Sequence, residues 1–411
     1  MWHFKKNVDY ISGALCAAIY DQNTGNLYHI SAKARRFIEL LIFDKQEIND
    51  YQNNPFFLTL LRFNLISNTD TIDDSMTSYE DHESKIDFAW IEITSKCNLK
   101  CIHCYNGTSS NNSIMNFDDF TIVVDALRRY GIKRVQIIGG EPFILGNKLK
   151  DYLCYLSKDN YFSIEIFTNA TLITKEWASF LHENNIRVAI SMYSYNQSDH
   201  EYVTKVKGSY LKTYAGIQLL KDASVPYRVA NVLMDNVSLG ECNTELFKLS
   251  CKKDVVRMSG RASFELLNPA LIKLKLITKT TFQKKYRADF YRSALHFHNC
   301  FKSKILISPD LKVYPCVMER RICHGNLKDN DLNQIIQSSL QRLNKDKIQV
   351  CKDCEYRYHC FDCRPNSLEA SYETKPWYCT YDPYSGKWAD ENEFIENLYR
   401  KYKIDFQAVE Q

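Results

Sequence analysis

The sequence predicts an α/β protein built around a parallel sheet, open or closed into a barrel. Three observations predict it. Short apolar strands alternate with helical stretches from Phe88 to Leu233, the pattern of repeated strand–helix units. Cys97, Gly139, Glu141, Asn169 and Ser191 fall at or just past the carboxyl ends of those strands, where parallel sheets gather their chemistry. The flanks differ in character: a hairpin with helices comes before, and a cysteine-dense segment poor in helical periodicity comes after. At 411 residues the chain exceeds one ordinary core, so two or three domains are expected.

The elements follow in order. The first segment, 1–85, reads as a hairpin over Gly13 to Ile30 around the turn Asn23-Thr24-Gly25. Helices at Ala32 to Phe43 and Pro55 to Leu65 come next, then a polar linker from Ser67 to Lys85. The central segment, 86–285, carries strands at Phe88 to Thr94, Arg134 to Ile138, Phe162 to Phe167, Arg187 to Met192 and Tyr227 to Leu233. Between them lie helical stripes at Phe117 to Tyr130, Leu149 to Ser157, Lys175 to Asn184 and Tyr210 to Ala223. The last segment, 286–411, ends in an amphipathic helix from Asn392 to Tyr402.

Composition narrows the class. The charge balance of 53 basic and 49 acidic side chains gives a net +4, which makes no electrostatic case for a nucleic-acid partner. No apolar run reaches the roughly 18 to 20 residues of a membrane span. Ile11 to Tyr20 follows Lys5 and Lys6, but it contains Ser12 and Gly13 and leads into a turn. It reads as the first strand of the hairpin rather than a secretion signal. The expected compartment is the cytoplasm, where thiols stay reduced.

That makes the 15 cysteines metal ligands before they are disulfides. Cys97, Cys101 and Cys104 form a Cys-x3-Cys-x2-Cys loop. A [4Fe–4S] cube has four irons, so three thiolates leave one iron open to a small molecule. A zinc site completed by His103 is the other possibility, but neighbours 103 and 104 reach one tetrahedral ion poorly. Downstream, Cys300, Cys316, Cys351, Cys354, Cys360, Cys363 and Cys379 follow at short spacings, a pattern also found in zinc ribbons. Cys16, Cys154, Cys242 and Cys251 have no partner at ligand spacing and read as buried thiols.

The Cys97–Cys104 loop resembles the signature of the radical S-adenosylmethionine (SAM) superfamily, with His103 at the usual aromatic position. Gly139-Gly140-Glu141-Pro142 is similar to that family's Gly-Gly-Glu-Pro element. The glycines would let the backbone approach the methionine end, and Glu141 would accept from its amine. Thr168-Asn169 resembles the Thr-Asn-Gly of the fourth strand, with Ala170 in place of glycine. Ser191 resembles the serine of the fifth strand, although Tyr193 stands where an acidic residue is usual. The arginine found in many relatives a dozen residues later is absent, which leaves the partner of the cofactor carboxylate open; Arg257, after the apolar strand end Val255-Val256, is a candidate, an ordinary surface arginine the alternative. The resemblance implies a partial (β/α)6 TIM-like barrel. It also implies a cluster reduced by an external donor such as flavodoxin or ferredoxin, and hydrogen abstraction from an unactivated C–H bond.

The cysteine-dense segment resembles a SPASM extension, which carries auxiliary clusters in peptide- and protein-modifying members of that superfamily. The family's interleaving assigns Cys300, Cys316 and Cys363 to auxiliary cluster I. It assigns Cys351, Cys354, Cys360 and Cys379 to auxiliary cluster II, for three [4Fe–4S] clusters in all. Cys323 is the candidate fourth ligand of the first; otherwise that site is open to a substrate group or water. The N-terminal hairpin and helices resemble the winged-helix-like unit, the RRE, that grips a leader peptide by strand addition. The resemblance implies a maturase that crosslinks a ribosomally made precursor peptide through a thioether, carbon–carbon or ether bond. Two alternatives stand: an anaerobic sulfatase-type maturase oxidising Cys or Ser, and a non-catalytic zinc-bound scaffold.

Overall fold

The computed structural model describes residues 2–45, 50–68, 86–106, 112–242, 251–337, 342–366 and 374–402. Most of the stretch read as a linker, Ser67 to Lys85, lies outside them. The N-terminal unit begins with β1 (His3–Phe4), which later pairs with β5 (Ile66–Ser67). β2 (Val8–Ser12), β3 (Ala17–Asp21) and β4 (Asn26–Ile30) form a three-stranded antiparallel sheet in that order. Ile11 and Ser12 thus close β2 and Ala17 opens β3, so Ile11 to Tyr20 is two strands around a turn rather than the single strand expected. α1 (Ala32–Ile38), capped by the Ser31 side chain, continues as a π-helical turn over Glu39–Phe43. α2 (Pro55–Arg62) starts on an Asn54 cap with proline in its first turn. It stops short of Leu65 because Asn64 turns left-handed at φ 59°.

The centre is a nine-stranded sheet. β6 (Phe88–Thr94), β7 (Arg134–Gly139), β8 (Ser163–Thr168), β9 (Arg187–Ser191), β10 (Tyr227–Leu233) and β11 (Cys251–Val255) run parallel, each beside the next. This is the six-strand parallel array expected of a partial barrel. β11 and the far edge of the sheet are its two ends, so it stays open. On the other side of β6, β12 (Lys304–Ile307) adds in parallel, followed by antiparallel β13 (Lys312–Tyr314) and β14 (Gly325–Asn326). The segment after residue 300 therefore continues the central sheet, which local periodicity does not announce.

Helices cover the sheet for readable reasons. α3 (Phe117–Tyr130) opens on Asn116, whose side chain accepts from Asp119 N, and has Asp118 and Asp119 in its first turn. It buries Phe120, Val123, Val124 and Leu127 and ends at Gly131, φ 93°. α4 (Asn147–Ser157), α5 (Lys175–Glu183), α6 (Gln197–Thr204) and α7 (Ser209–Asp222) complete the layer. Ile91, Ile137, Ile166, Val188 and Leu181 join one core with Ile305 and Val313 of the late strands. Four helices are additional to those the sequence predicts: α6, α8 (Pro269–Lys275), α9 (Ala288–His296) and α10 (Leu332–Ile336); α11 (Glu391–Tyr402) follows, as expected. The N-terminal sheet docks through Tyr20, which packs on Tyr286 and Tyr291 and donates to Glu355 O at 2.9 Å. Among the described residues no helix is long and apolar enough to cross a membrane.

Candidate active site and cluster ligands

The Cys97–Cys104 loop leaves the carboxyl end of β6 and is tied down by backbone bonds. Lys100 N donates to Thr204 O at 2.9 Å, and Ile102 N to Val203 O at 3.0 Å. Gly140 N donates to Thr94 O and Glu141 N to Lys96 O, both at 2.8 Å. Cys97, Cys101, His103 and Cys104 thereby face one cavity of about 1060 Å³ of atom-free space, its mouth included. Gly139, Gly140, Asn169, Ser191 and Arg257 line the same cavity. The structure thus gathers the expected site residues around one space, with Glu141 set behind its wall.

The glycines also answer a packing demand of the loop itself. A Cβ on Gly139 would sit 2.5 Å from Thr94 O. One on Gly140 would meet the Lys96 carbonyl carbon at 2.5 Å and Ser95 O at 2.7 Å. Their missing side chains let the cysteine loop lie against the end of β7. Glu141 is fully buried, and its carboxylate already has partners. Thr168 Oγ1 donates to it at 2.7 Å, Asn169 N at 2.8 Å and Phe143 N at 3.1 Å. It ties the end of β7 to the end of β8. Asn169 in turn donates through Nδ2 to Asn98 Oδ1 at 2.9 Å, reaching back to the cysteine loop. Ala170, in the place of the family's glycine, adopts φ 60°, a conformation that costs an L-residue about 1 kcal/mol.

Tyr193 was read only as a missing acid. Its hydroxyl lies 3.7 Å from Cys101 Sγ, and its ring meets that of His103 edge-on at 4.7 Å. Burial holds His103 neutral, pushed down to about 4, and leaves its Nδ1 without a partner. Arg257 pairs with Asp254 on the far wall and feels the charges of Cys363, Cys316 and Cys300.

Those three cysteines form a second group. Cys300 and Cys363 share a hydrogen bond, with Cys316 within electrostatic reach. Cys323 does not join them: it is exposed and its Sγ donates to Gly325 O at 3.3 Å. Cys351, Cys354, Cys360 and Cys379 line a third space together with Lys345. Between the second and third groups runs a buried polar chain. His298 Nδ1 accepts from Cys300 N, and its Nε2 lies 3.1 Å from Asp362. Asp362 is also paired with Lys345 at 2.6 Å and Arg364 at 2.9 Å. Of the cysteines expected to be buried thiols, Cys16 is buried, Cys242 is half-buried and Cys154 is exposed. The Cys154 position lies on the outer face of α4, away from its core residues Leu149, Tyr152, Leu153 and Leu156.

Residues 91–242 match the family model of the radical SAM superfamily, and residues 300–355 match that of the SPASM iron-sulfur cluster-binding domain. This chain carries a radical SAM domain followed by a SPASM domain. It is 35% identical over 147 residues to the antilisterial bacteriocin subtilosin biosynthesis protein AlbA of Bacillus subtilis, covering 34% of this chain and 32% of that protein. It is 28% identical over 160 residues to a cysteine-type anaerobic sulfatase-maturating enzyme of Clostridium novyi, covering 35% and 43%. The matches thus span less than half the length of either relative. The fold is also that of Streptococcus suis SuiB bound to S-adenosylmethionine, at TM-score 0.52 and 14% identity over 92% of this chain and 99% of that one.

A radical SAM domain implies a [4Fe–4S] cluster and S-adenosylmethionine, and the residues fit both. Burial pushes the Cys101 thiol up to about 12, so it needs bound metal to become a thiolate. Among the described residues, the one Cys/His/Asp/Glu trio with ligand atoms all within 4.8 Å is Cys16, His29 and Glu355.

Proposed function

We propose that this chain is a peptide maturase that abstracts hydrogen from a precursor-peptide residue and installs a thioether, carbon–carbon or ether crosslink. One observation carries the reading. A single cavity holds Cys97, Cys101 and Cys104 on one wall and Arg257 on another, and Arg257 feels the charges of Cys300, Cys316 and Cys363. On this reading an initiating centre and an auxiliary centre flank one cavity. The similarity to a protein of bacteriocin biosynthesis supports a peptide substrate.

Cys97, Cys101 and Cys104 would hold the initiating cluster; His103, Gly139, Gly140, Asn169, Ser191 and Arg257 would hold S-adenosylmethionine. When bound, that pair supplies hydrogen-atom abstraction. Tyr193 would donate to a Cys101 thiolate, and Glu141 fixes Thr168 and Asn169 from behind. Cys300, Cys316 and Cys363 would hold one auxiliary cluster without Cys323, and Cys351, Cys354, Cys360 and Cys379 a second. On this reading residues 1–85 are a leader-binding unit, 86–285 the radical SAM core and 286–411 the cluster domain. β2 and β4 are the edges of the N-terminal sheet, where a leader strand could add. The chain works in the cytoplasm with a flavodoxin- or ferredoxin-type donor.

Coexpression with a neighbouring small precursor, followed by mass spectrometry, tests this. The expected result is loss of two hydrogens per crosslink, dependent on the leader. Equal modification of a leaderless substrate would move the assignment to sulfatase-type oxidation, and an unmodified peptide would remove the crosslinking claim.

A further inference from the structure

Cys16, His29 and Glu355 belong to no part of the cluster machinery, yet they converge. A ligand atom from each lies within 4.8 Å of the others. They come from three places: the turn before β3, the middle of β4, and the cluster domain 326 residues beyond His29. Glu355 is fully buried. Its Oε1 accepts from the Tyr381 hydroxyl at 2.5 Å and lies 3.2 Å from His29 Nε2. Its Oε2 is buried and has no hydrogen-bond partner. A buried carboxylate oxygen in that state is destabilising unless a cation meets it.

The surroundings are shaped for something small. A Cβ on Gly13 would come within 2.6 Å of Glu355 Oε2, and one on Gly386 within 3.0 Å of Cys16 Sγ. Backbone thus closes on the site from both sides. The His29 side chain is 39% exposed, which gives solvent a way in and a water a place to complete the shell. A sulfur, an imidazole nitrogen and a carboxylate oxygen together suit zinc, and do not suit calcium or magnesium, which take oxygen.

We infer that Cys16, His29 and Glu355 form a mononuclear zinc site that clamps the N-terminal sheet onto the cluster domain. The site binds Zn²⁺ with release of the thiol proton and involves no redox change. It does not depend on the substrate reading.

The test is metal analysis of full-length protein purified anaerobically from zinc-supplemented cells, with iron and zinc measured together. About one zinc per chain is expected beyond the iron, and zinc-edge X-ray absorption should show one sulfur near 2.3 Å among nitrogen and oxygen ligands. His29→Gln and Cys16→Ala should each lower zinc at least ~5-fold while iron stays constant. His29 is partly exposed, so its variant keeps the test valid if Cys16→Ala folds poorly. Zinc below ~0.2 per chain with full iron, zinc that survives His29→Gln, or zinc held by sulfur alone would overturn the assignment.

Discussion

Gly140 shows how one missing side chain can set a metal site. Its absent Cβ is the space occupied by the carbonyls of Ser95 and Lys96, which lead directly into Cys97. Gly140→Ala must push that loop outward, a backbone clash that costs at least about 1–3 kcal/mol. The expected outcome is loss of the iron and spectral signal of the initiating cluster, with auxiliary iron retained. Glu141→Gln acts differently. Asn169 N and Phe143 N donate to opposite carboxylate oxygens, so an amide must turn its NH₂ toward one of them. A cost of about 1–3 kcal/mol follows, read by chemical denaturation, together with weaker S-adenosylmethionine binding. His200 gives a pH dependence. It is buried, its Nε2 has no partner, and desolvation holds it down to about 4 against 6.5. The unfolded chain therefore takes up this proton first as pH falls. Stability should drop between about pH 6.5 and about 4, by roughly 1.4 kcal/mol per unit for this group. Urea midpoints measured on either side of pH ~6.5 check it, and His200→Phe should flatten the slope.

At the scale of elements, the strand–helix alternation was legible because each unit buries a local, periodic face. Phe117 to Tyr130 declares its cap, stripe and stop within its own sequence. β12 was not legible: its partner β6 lies more than two hundred residues away, and Lys304-Ile-Leu-Ile307 carries no sign of that pairing. The pairings of Glu141 with Asn169 and of Glu355 with His29 were hidden for the same reason. The two auxiliary groups were legible as spacings, but the chain joining them was not. Lys345 sits beside Asp362 and close to Cys351 and Cys360, and nothing in its local sequence points there. Lys345→Met leaves Asp362 with Arg364 and His298 only. Breaking a buried pair from one side costs about 3–5 kcal/mol, and it removes a cation facing two thiolate ligands. The expected result is reduced auxiliary iron and a lower reduction potential for the cluster held by Cys351, Cys354, Cys360 and Cys379, followed by redox titration with EPR detection.

At the scale of the whole molecule, the cysteines divide into three groups of unequal size, and that division has a countable consequence. Three cubanes require about 11–12 irons per chain. The group of Cys300, Cys316 and Cys363 brings three thiols, and the nearest spare cysteine in sequence, Cys323, is exposed and donates its thiol to Gly325 O. Cys323→Ser should therefore leave iron content, EPR signals and thermal stability unchanged, whereas Cys363→Ser should remove about 4 irons. An iron loss on Cys323→Ser equal to that of Cys363→Ser would mean that the loop from Cys316 to Gly325 folds inward around the cluster. That movement would have to break the β13–β14 pairing at Val313 and Gly325, strands that continue the same sheet as the initiating site. The pairing of β12 with β6 thus joins in one sheet the strand that leads to Cys97 and the strands that lead to Cys316.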